Sequence, residues 1–199
     1  MSNGPAHTLA FGQITRPDGL PAGLRGDLLA CWAAVADAGG AVLPPECPPP
    51  PIVPADLAPA LDRLVAGLHP QRCRLLVATV EDGAAVGGGL AGWLLVRRES
   101  HPLEAHCGVV NHVQTQVSLR GLGIGAALLR RAREVARDEM GLERLKLSVR
   151  AGLGLEEFYR KAGWTEVGRW PGALRVAPGD DRDEILMTLS LRDPSVPED

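Results

Sequence analysis

The rhythm of hydrophobic positions changes several times along the chain, and each change marks an element. Residues 8 to 16 (TLAFGQITR) carry β-branched and aromatic side chains and are stopped by Pro17 and Gly19, which predicts a first strand. From Pro21 to Ala38 apolar residues recur at helical spacing (Leu24, Leu28, Leu29, Trp32, Val35, Ala36) until Gly39 and Gly40 end the run, so a helix follows. Residues 44 to 54 hold seven prolines, which exclude helix or interior strand and favour stiff polyproline II. Residues 55 to 69 give a second amphipathic helix, with Leu57, Leu61, Leu64, Val65 and Leu68 on one side. Three extended stretches (74 to 82, 87 to 100 and 104 to 117) are joined by short turns and are expected to pair as an antiparallel meander. A glycine-rich loop at 120 to 125 opens a strong helix (AALLRRAREVARDEM) that Gly141 ends. A strand at 143 to 150, a short helix at 155 to 162 and strands near 164 to 176 and 184 to 191 complete the chain. The order β-α-α-β-β-β-α-β-α-β-β predicts a mixed α/β fold in a single domain over 8 to 191, with residues 1 to 7 and 192 to 199 as flexible ends.

Composition narrows the function. The chain has 199 residues and a formal net charge of -3, so it lacks the basic excess that neutralises nucleic-acid phosphates; no nucleic-acid partner is expected. No apolar run reaches membrane-spanning length and the first residues do not form a signal sequence, so no membrane partner and a cytoplasmic location are expected. Cys31, Cys47, Cys73 and Cys107 are spread widely with no C-x-x-C pair, which predicts reduced cysteines and no metal site. Aromatic residues make up only 4% and include a single tyrosine, so Ala, Val and Leu must fill the core.

The run Arg120-Gly121-Leu122-Gly123-Ile124-Gly125 lies between a strand and a helix, where unpaired N–H groups and the helix dipole suit a phosphate. It is not a Walker loop, because no Gly-Lys-Ser/Thr follows. It also departs from the dinucleotide fingerprint in its G-x-G-x-G spacing and in following a meander strand, which argues against a nucleotide-binding oxidoreductase.

With the downstream run Phe158-Tyr159-Arg160-Lys161-Ala162-Gly163-Trp164, this loop resembles the GNAT superfamily of acyl-CoA-dependent N-acetyltransferases. Arg120, Gly123 and Gly125 meet the pattern Q/R-x-x-G-x-G/A, and Tyr159, Gly163 and Trp164 meet Y-x-x-x-G-F/W. The resemblance implies a mostly antiparallel central sheet of about seven strands, helices on both faces and a splay between the fourth and fifth strands. It implies acetyl-CoA as co-substrate. The backbone of Gly121, Leu122, Gly123, Ile124, Gly125 and Ala126 would hold the pyrophosphate, and Val113 and Thr115 would run beside the pantetheine arm. It also implies Tyr159 as general acid toward the departing thiolate, in direct attack by an amine within a ternary complex, and the stiff proline stretch with Trp170 points to a small-molecule amine. An Asn common in the family seven residues before the tyrosine is here Gly152, and the small residue four before it is Leu155.

The base is less plainly written. Family base positions align with Val109 and Asn111, neither of which accepts a proton at neutral pH, so Asn111 is left to orient a water or the amine. His112 has a useful pKa, but alternation points it to the other face unless the strand bulges; Glu104 can act only through water. The resemblance also implies that the acceptor side is built from the proline stretch and the segment from Trp170 to Glu184, where Asp180 and Asp181 either draw a cationic amine or form a solvated turn. A monomer or homodimer is expected. The alternative to an enzyme is a CoA-binding sensor without transferase activity. Amine-dependent thiol release separates the two.

Overall fold

A seven-stranded sheet in the order β1-β2-β3-β4-β5-β7-β6 organises the chain. The structure, a computed structural model, describes residues 8–40, 50–81 and 89–192. Most of the proline stretch (residues 44 to 49) and the ends at 1 to 7 and 193 to 199 lie outside the described residues. In chain order the elements are β1 (Thr8–Ile14), α1 (Ala22–Asp37), α2 (Pro54–Ala66), β2 (Cys73–Glu81), β3 (Gly89–Arg98), β4 (Cys107–Thr115), α3 (Ile124–Glu134), β5 (Arg144–Arg150), α4 (Leu155–Lys161), β6 (Thr165–Ala177) and β7 (Asp180–Ser190). This is the mixed α/β order expected. β4 pairs with β5 in parallel, whereas β1 with β2, β5 with β7, and β6 with β7 are antiparallel.

The chain divides into two compact units, one reaching to Val96 and including His112–Leu129, the other combining Arg97–Asn111 with Arg130 onward. In the first unit, α1 is apolar on nearly every side of its second half, and Leu28, Leu29, Cys31, Trp32, Val35 and Ala36 are all buried. Such a helix is stable only when enclosed. The amphipathic α2 turns Leu57 and Leu61 into the same core, which also takes Leu75, Trp93 and Leu95 from β2 and β3. Each fully buried leucine contributes about 1.5–3 kcal/mol by leaving water. The start of α2 is fixed locally: Pro54 fills the first turn, the Asp56 carboxylate accepts the Val53 N–H (3.2 Å), and Asp37 at the end of α1 accepts the Ile52 N–H (2.9 Å).

In the second unit, α3 runs on into one wide turn at Val135–Glu139, and Gly141 (φ 62°) ends it while Leu142 N–H donates to the Ala136 carbonyl (2.8 Å). That left-handed stop is the glycine C-cap expected at this position. β5 alternates buried Leu145, Leu147 and Val149 with more open Lys146, Ser148 and Arg150. The α4 helix lies on the buried-residue face: its Arg160 reaches Glu166, whose β7 partner is the buried Met187.

Among the described residues no helix is long and apolar enough to cross a membrane, and no group of metal-ligating side chains is present. The described cysteines, Cys31, Cys73 and Cys107, form no disulfide. Cys31 is fully buried, and burial pushes its thiol up to about 11, with the nearby Trp93 indole N–H partly opposing this. Cys107 is half-exposed. At pH 8 an alkylating reagent should therefore label Cys107 while Cys31 and Cys73 react only on unfolding, as read by peptide mass spectrometry. Labelling of Cys31 as fast as Cys107 would contradict this packing.

Candidate active site

The glycine loop is held at a helix start by the core beneath it. A single turn at Val117–Leu119 precedes it, and Arg120 N–H closes that turn on the Val117 carbonyl (3.4 Å). Gly121 (φ 84°) and Gly123 (φ 77°) then take left-handed conformations that a Cβ disfavours. Arg120, Gly121, Leu122 and Gly123 are exposed, Gly125 and Ala126 are half-buried, and Ile124 is buried. Ile124 at 2% and Leu128 at 0% exposure anchor α3, so the loop is open above and fixed below. The N–H groups of residues 121 to 126 donate to no carbonyl among the described residues; the first α3 bond at this end is Ala127 N–H to Gly123 (3.0 Å).

β4 alternates strictly: Cys107, Val109, Asn111, Val113 and Thr115 are half-buried, while Gly108, Val110, His112 and Gln114 are buried. His112 has φ 54°, a left-handed residue within a strand, which is the kind of irregularity the sequence reading required for it to leave its face. Its ring nevertheless stays in the core at 3% exposure, stacked on Trp93 (centroids 5.1 Å, 13°) and edge-on to Trp32 (4.6 Å, 73°). Gln114 is fully buried and neither of its amide atoms has a protein partner. Glu104 is exposed in a short turn before β4, with its N–H on the His101 carbonyl (2.9 Å).

Tyr159 sits in α4 at 7% exposure, edge-on to Phe158 (5.0 Å) and Trp164 (6.0 Å). Burial alone acts on its phenol and pushes the pKa well up, so the hydroxyl stays protonated through the neutral range. Farther along, alternation in β7 sends Asp180, Arg182 and Glu184 to one face and Asp181 and Asp183 to the other. The aspartates are also paired: Asp180 with Arg182, Asp181 with Arg175 (2.6 Å), and Asp183 with Arg169 (3.1 Å). Arg182 and Arg175 hold the Asp180 and Asp181 carboxyls below their usual range, and Asp183 is lowered first by the Gly172 N–H that it accepts (3.0 Å) and then by Arg169. Trp170 is 69% exposed and pairs in register with Glu184.

A family model for the acetyltransferase (GNAT) family matches residues 45–164. The chain belongs to the GNAT acetyltransferase family. Solved structures share its fold at low identity. A provisionally assigned phosphinothricin N-acetyltransferase has a TM-score of 0.72 at 19% identity, covering 94% of this chain and 100% of that one. A provisionally assigned acetyltransferase from Salmonella typhimurium, solved with its cofactor acetyl-CoA, has a TM-score of 0.66 at 16% identity, covering 98% and 99%. Among curated proteins, a tRNA uridine(34) acetyltransferase of Methanocaldococcus infernus is 37% identical over 57 residues, which is 29% of this chain and 10% of that protein.

Acetyl-CoA is the donor of this GNAT protein, and the loop fits it. The uncommitted N–H groups at 121 to 126 suit a pyrophosphate, and nothing lies within 4 Å of where a Cβ at Gly121 or Gly123 would stand. The ladder between β4 and β5 ends at Val109↔Lys146 although both strands run on, which is the early end of pairing expected of the fold. Arg150 was not singled out from the sequence. It comes opposite Glu184 only through strand register, which no local pattern reveals. Gly123→Ala should meet no neighbour, should cost about 1–2 kcal/mol for its left-handed backbone, and should raise the acetyl-CoA Kd about 10-fold or more. Calorimetric titration checks this, and an unchanged Kd would remove the loop from the donor site.

Proposed function

We propose that this GNAT acetyltransferase moves the acetyl group of acetyl-CoA to the primary amine of a small molecule, by direct attack within a ternary complex. It would act in the cytoplasm as a monomer or homodimer. The observation that carries the donor half is the anchored helix start, whose free N–H groups and dipole favour a phosphate by up to about 2 kcal/mol. In this reading Arg120 to Ala126 hold the pyrophosphate, and Val113 and Thr115, both half-buried on one face of β4, line the pantetheine arm.

Tyr159 is proposed as the proton donor to the departing thiolate. A phenol kept protonated by burial supports that role. The amine must first lose its own proton, and for a lysine-like amine of pKa about 10.4 this costs roughly 4.6 kcal/mol at pH 7. Asn111, half-buried on the Val109 face, is proposed to position the amine or a water. Of the two proposed bases, His112 is enclosed by tryptophans, which opposes direct contact with an acceptor. Glu104 is exposed and suits only transfer through water. Trp170, exposed on the last hairpin, is proposed to contact the acceptor, with Asp180 and Asp181 contributing less because arginines already neutralise them.

Tyr159→Phe should lower kcat about 100-fold with the acetyl-CoA Kd and the Tm unchanged, as measured by single-turnover kinetics, titration and melting. Unchanged turnover would sink the assignment. Acetyl-CoA binding with no amine-dependent thiol release across an amine panel would instead favour a CoA-binding sensor.

A further inference from the structure

Of the 21 lysine and arginine side chains in the sequence, only Lys146 and Lys161 are lysines. A guanidinium stays charged at every working pH, so these two are the side-chain amines open to acylation. They stand in different settings. Lys161 ends α4, with its side chain 76% exposed and Glu157 at 3.8 Å. Lys146 lies in β5 directly opposite Val109, at the last rung of the β4–β5 ladder before the pairing ends. Paired residues share a face, so Lys146 stands on the face of β4 that carries Cys107, Val109 and Asn111.

This rung lies midway between two destinations. Below it, the Glu99 N–H donates to the Cys107 carbonyl (3.0 Å), and the Glu99 carboxylate holds the Lys146 ammonium at 2.6 Å. Above it stands Asn111, the residue proposed to position the amine. Cys107 and Asn111 are each two residues from Val109, about 7 Å along the strand. A flexible four-carbon stem rooted at the middle rung can swing to either, and the Lys146 side chain is open enough to do so at 37% exposure. The bond to Glu99 raises the Lys146 pKa, partial burial opposes this, and Glu104 and Cys107 add to the rise. In the observed position the amine is therefore directed to the Cys107 rung and kept as an ammonium, which has no lone pair to attack with.

We propose that Lys146 is a self-acetylation site, and that Glu99 restrains the reaction by holding the amine at the far end of its swing from Asn111. When the ammonium leaves Glu99, one of its three protons is lost to water. The Nζ lone pair then adds to the acetyl carbon of acetyl-CoA and the C–S bond breaks. A second proton ends on the departing CoA sulfur as thiol, and the third stays on the new amide nitrogen. The inference rests on the donor and Asn111 placements proposed above and gives the same acetyl group a second acceptor.

The test incubates the purified protein with acetyl-CoA and no added amine, followed by tryptic digestion and mass measurement. Acetylation at Lys146 blocks cleavage there and leaves the peptide Leu145–Arg150 intact. Lys161 is the internal control, because chemical acetylation by free donor favours the more exposed amine. In Glu99→Gln, Lys146 should be labelled about 10-fold faster than in the wild type, the gain in free amine that one pKa unit brings. It should also be labelled ahead of Lys161, whose own rate stays unchanged. Gly123→Ala, which weakens donor binding, should slow labelling of Lys146 alone, and acetyl phosphate, a donor without the CoA moiety, should label Lys161 first. Lys146→Arg should remove the signal. A Lys146 rate that is unchanged or slower in Glu99→Gln overturns the inference, as does labelling of Lys161 ahead of Lys146 in that variant. If small amines are acetylated while Lys146 stays unmodified in both proteins, the inference fails and the amine-transfer reading stands. If Lys146 is labelled while no amine of the panel is, the small-molecule reading fails and the self-acetylation site stands.

Discussion

The proposed donor site depends on hydrogen-bonding capacity that the backbone cannot use on itself. The first turn of any α-helix leaves its N–H groups without carbonyl partners, and a fold must hide, cap or expose them. Here they are left without a carbonyl partner beside an exposed loop, because Ile124 and Leu128 bury the underside of α3 while Gly121 and Gly123 carry the approach through left-handed turns. The core therefore fixes in place an unmet demand for an anion. A side-chain cap at the helix start would satisfy the same donors from within and give away the affinity for phosphate.

Charge is handled differently in the second unit. Nearly every carboxylate of the last hairpin is matched by an arginine from the same or the adjoining strand, as with Asp181 and Arg175, Asp183 and Arg169, and Glu166 and Arg169. Exposed pairs of this kind add little stability individually, but they prevent the acidic run from acting as one field. Alternation divides what reads in sequence as a single cluster, sending Asp180 and Asp181 to opposite faces. What remains is local: Glu184 stands opposite Arg150 of β5, and Arg182, two residues before it, is taken by Asp180.

Elements were legible in the sequence because each has its own periodicity and its own stop signal. The Pro21–Ala38 helix, the three middle strands and the glycine-opened α3 all fall within a few residues of their expected bounds. The last strand begins earlier than expected, at Asp180 instead of residue 184. Its charged residues read as a solvated turn, yet they pair with β6 and leave only Pro178 and Gly179 between the strands. The proposed site is legible where it is contiguous, at Arg120 to Ala126, at Tyr159 and in the segment from Trp170 to Glu184. What the sequence leaves open is register: Arg150 opposite Glu184 and Glu184 opposite Trp170 are pairings that a one-residue slip in either ladder would undo. The left-handed backbone of His112 is likewise set by tertiary packing, since no glycine or asparagine marks it.

The shortage of an evident base has a physical counterpart in the chemistry of an amine acceptor. The cost of deprotonating an amine falls with its pKa, from roughly 4.6 kcal/mol at pH 7 for a lysine-like group to about 1 kcal/mol for one near 7.7–8.0. A strong buried base therefore becomes less necessary as the acceptor's own pKa approaches the working pH. In the proposed mechanism, of the two proton transfers only the one at sulfur then requires a dedicated side chain, and a phenol that burial keeps protonated suits that step.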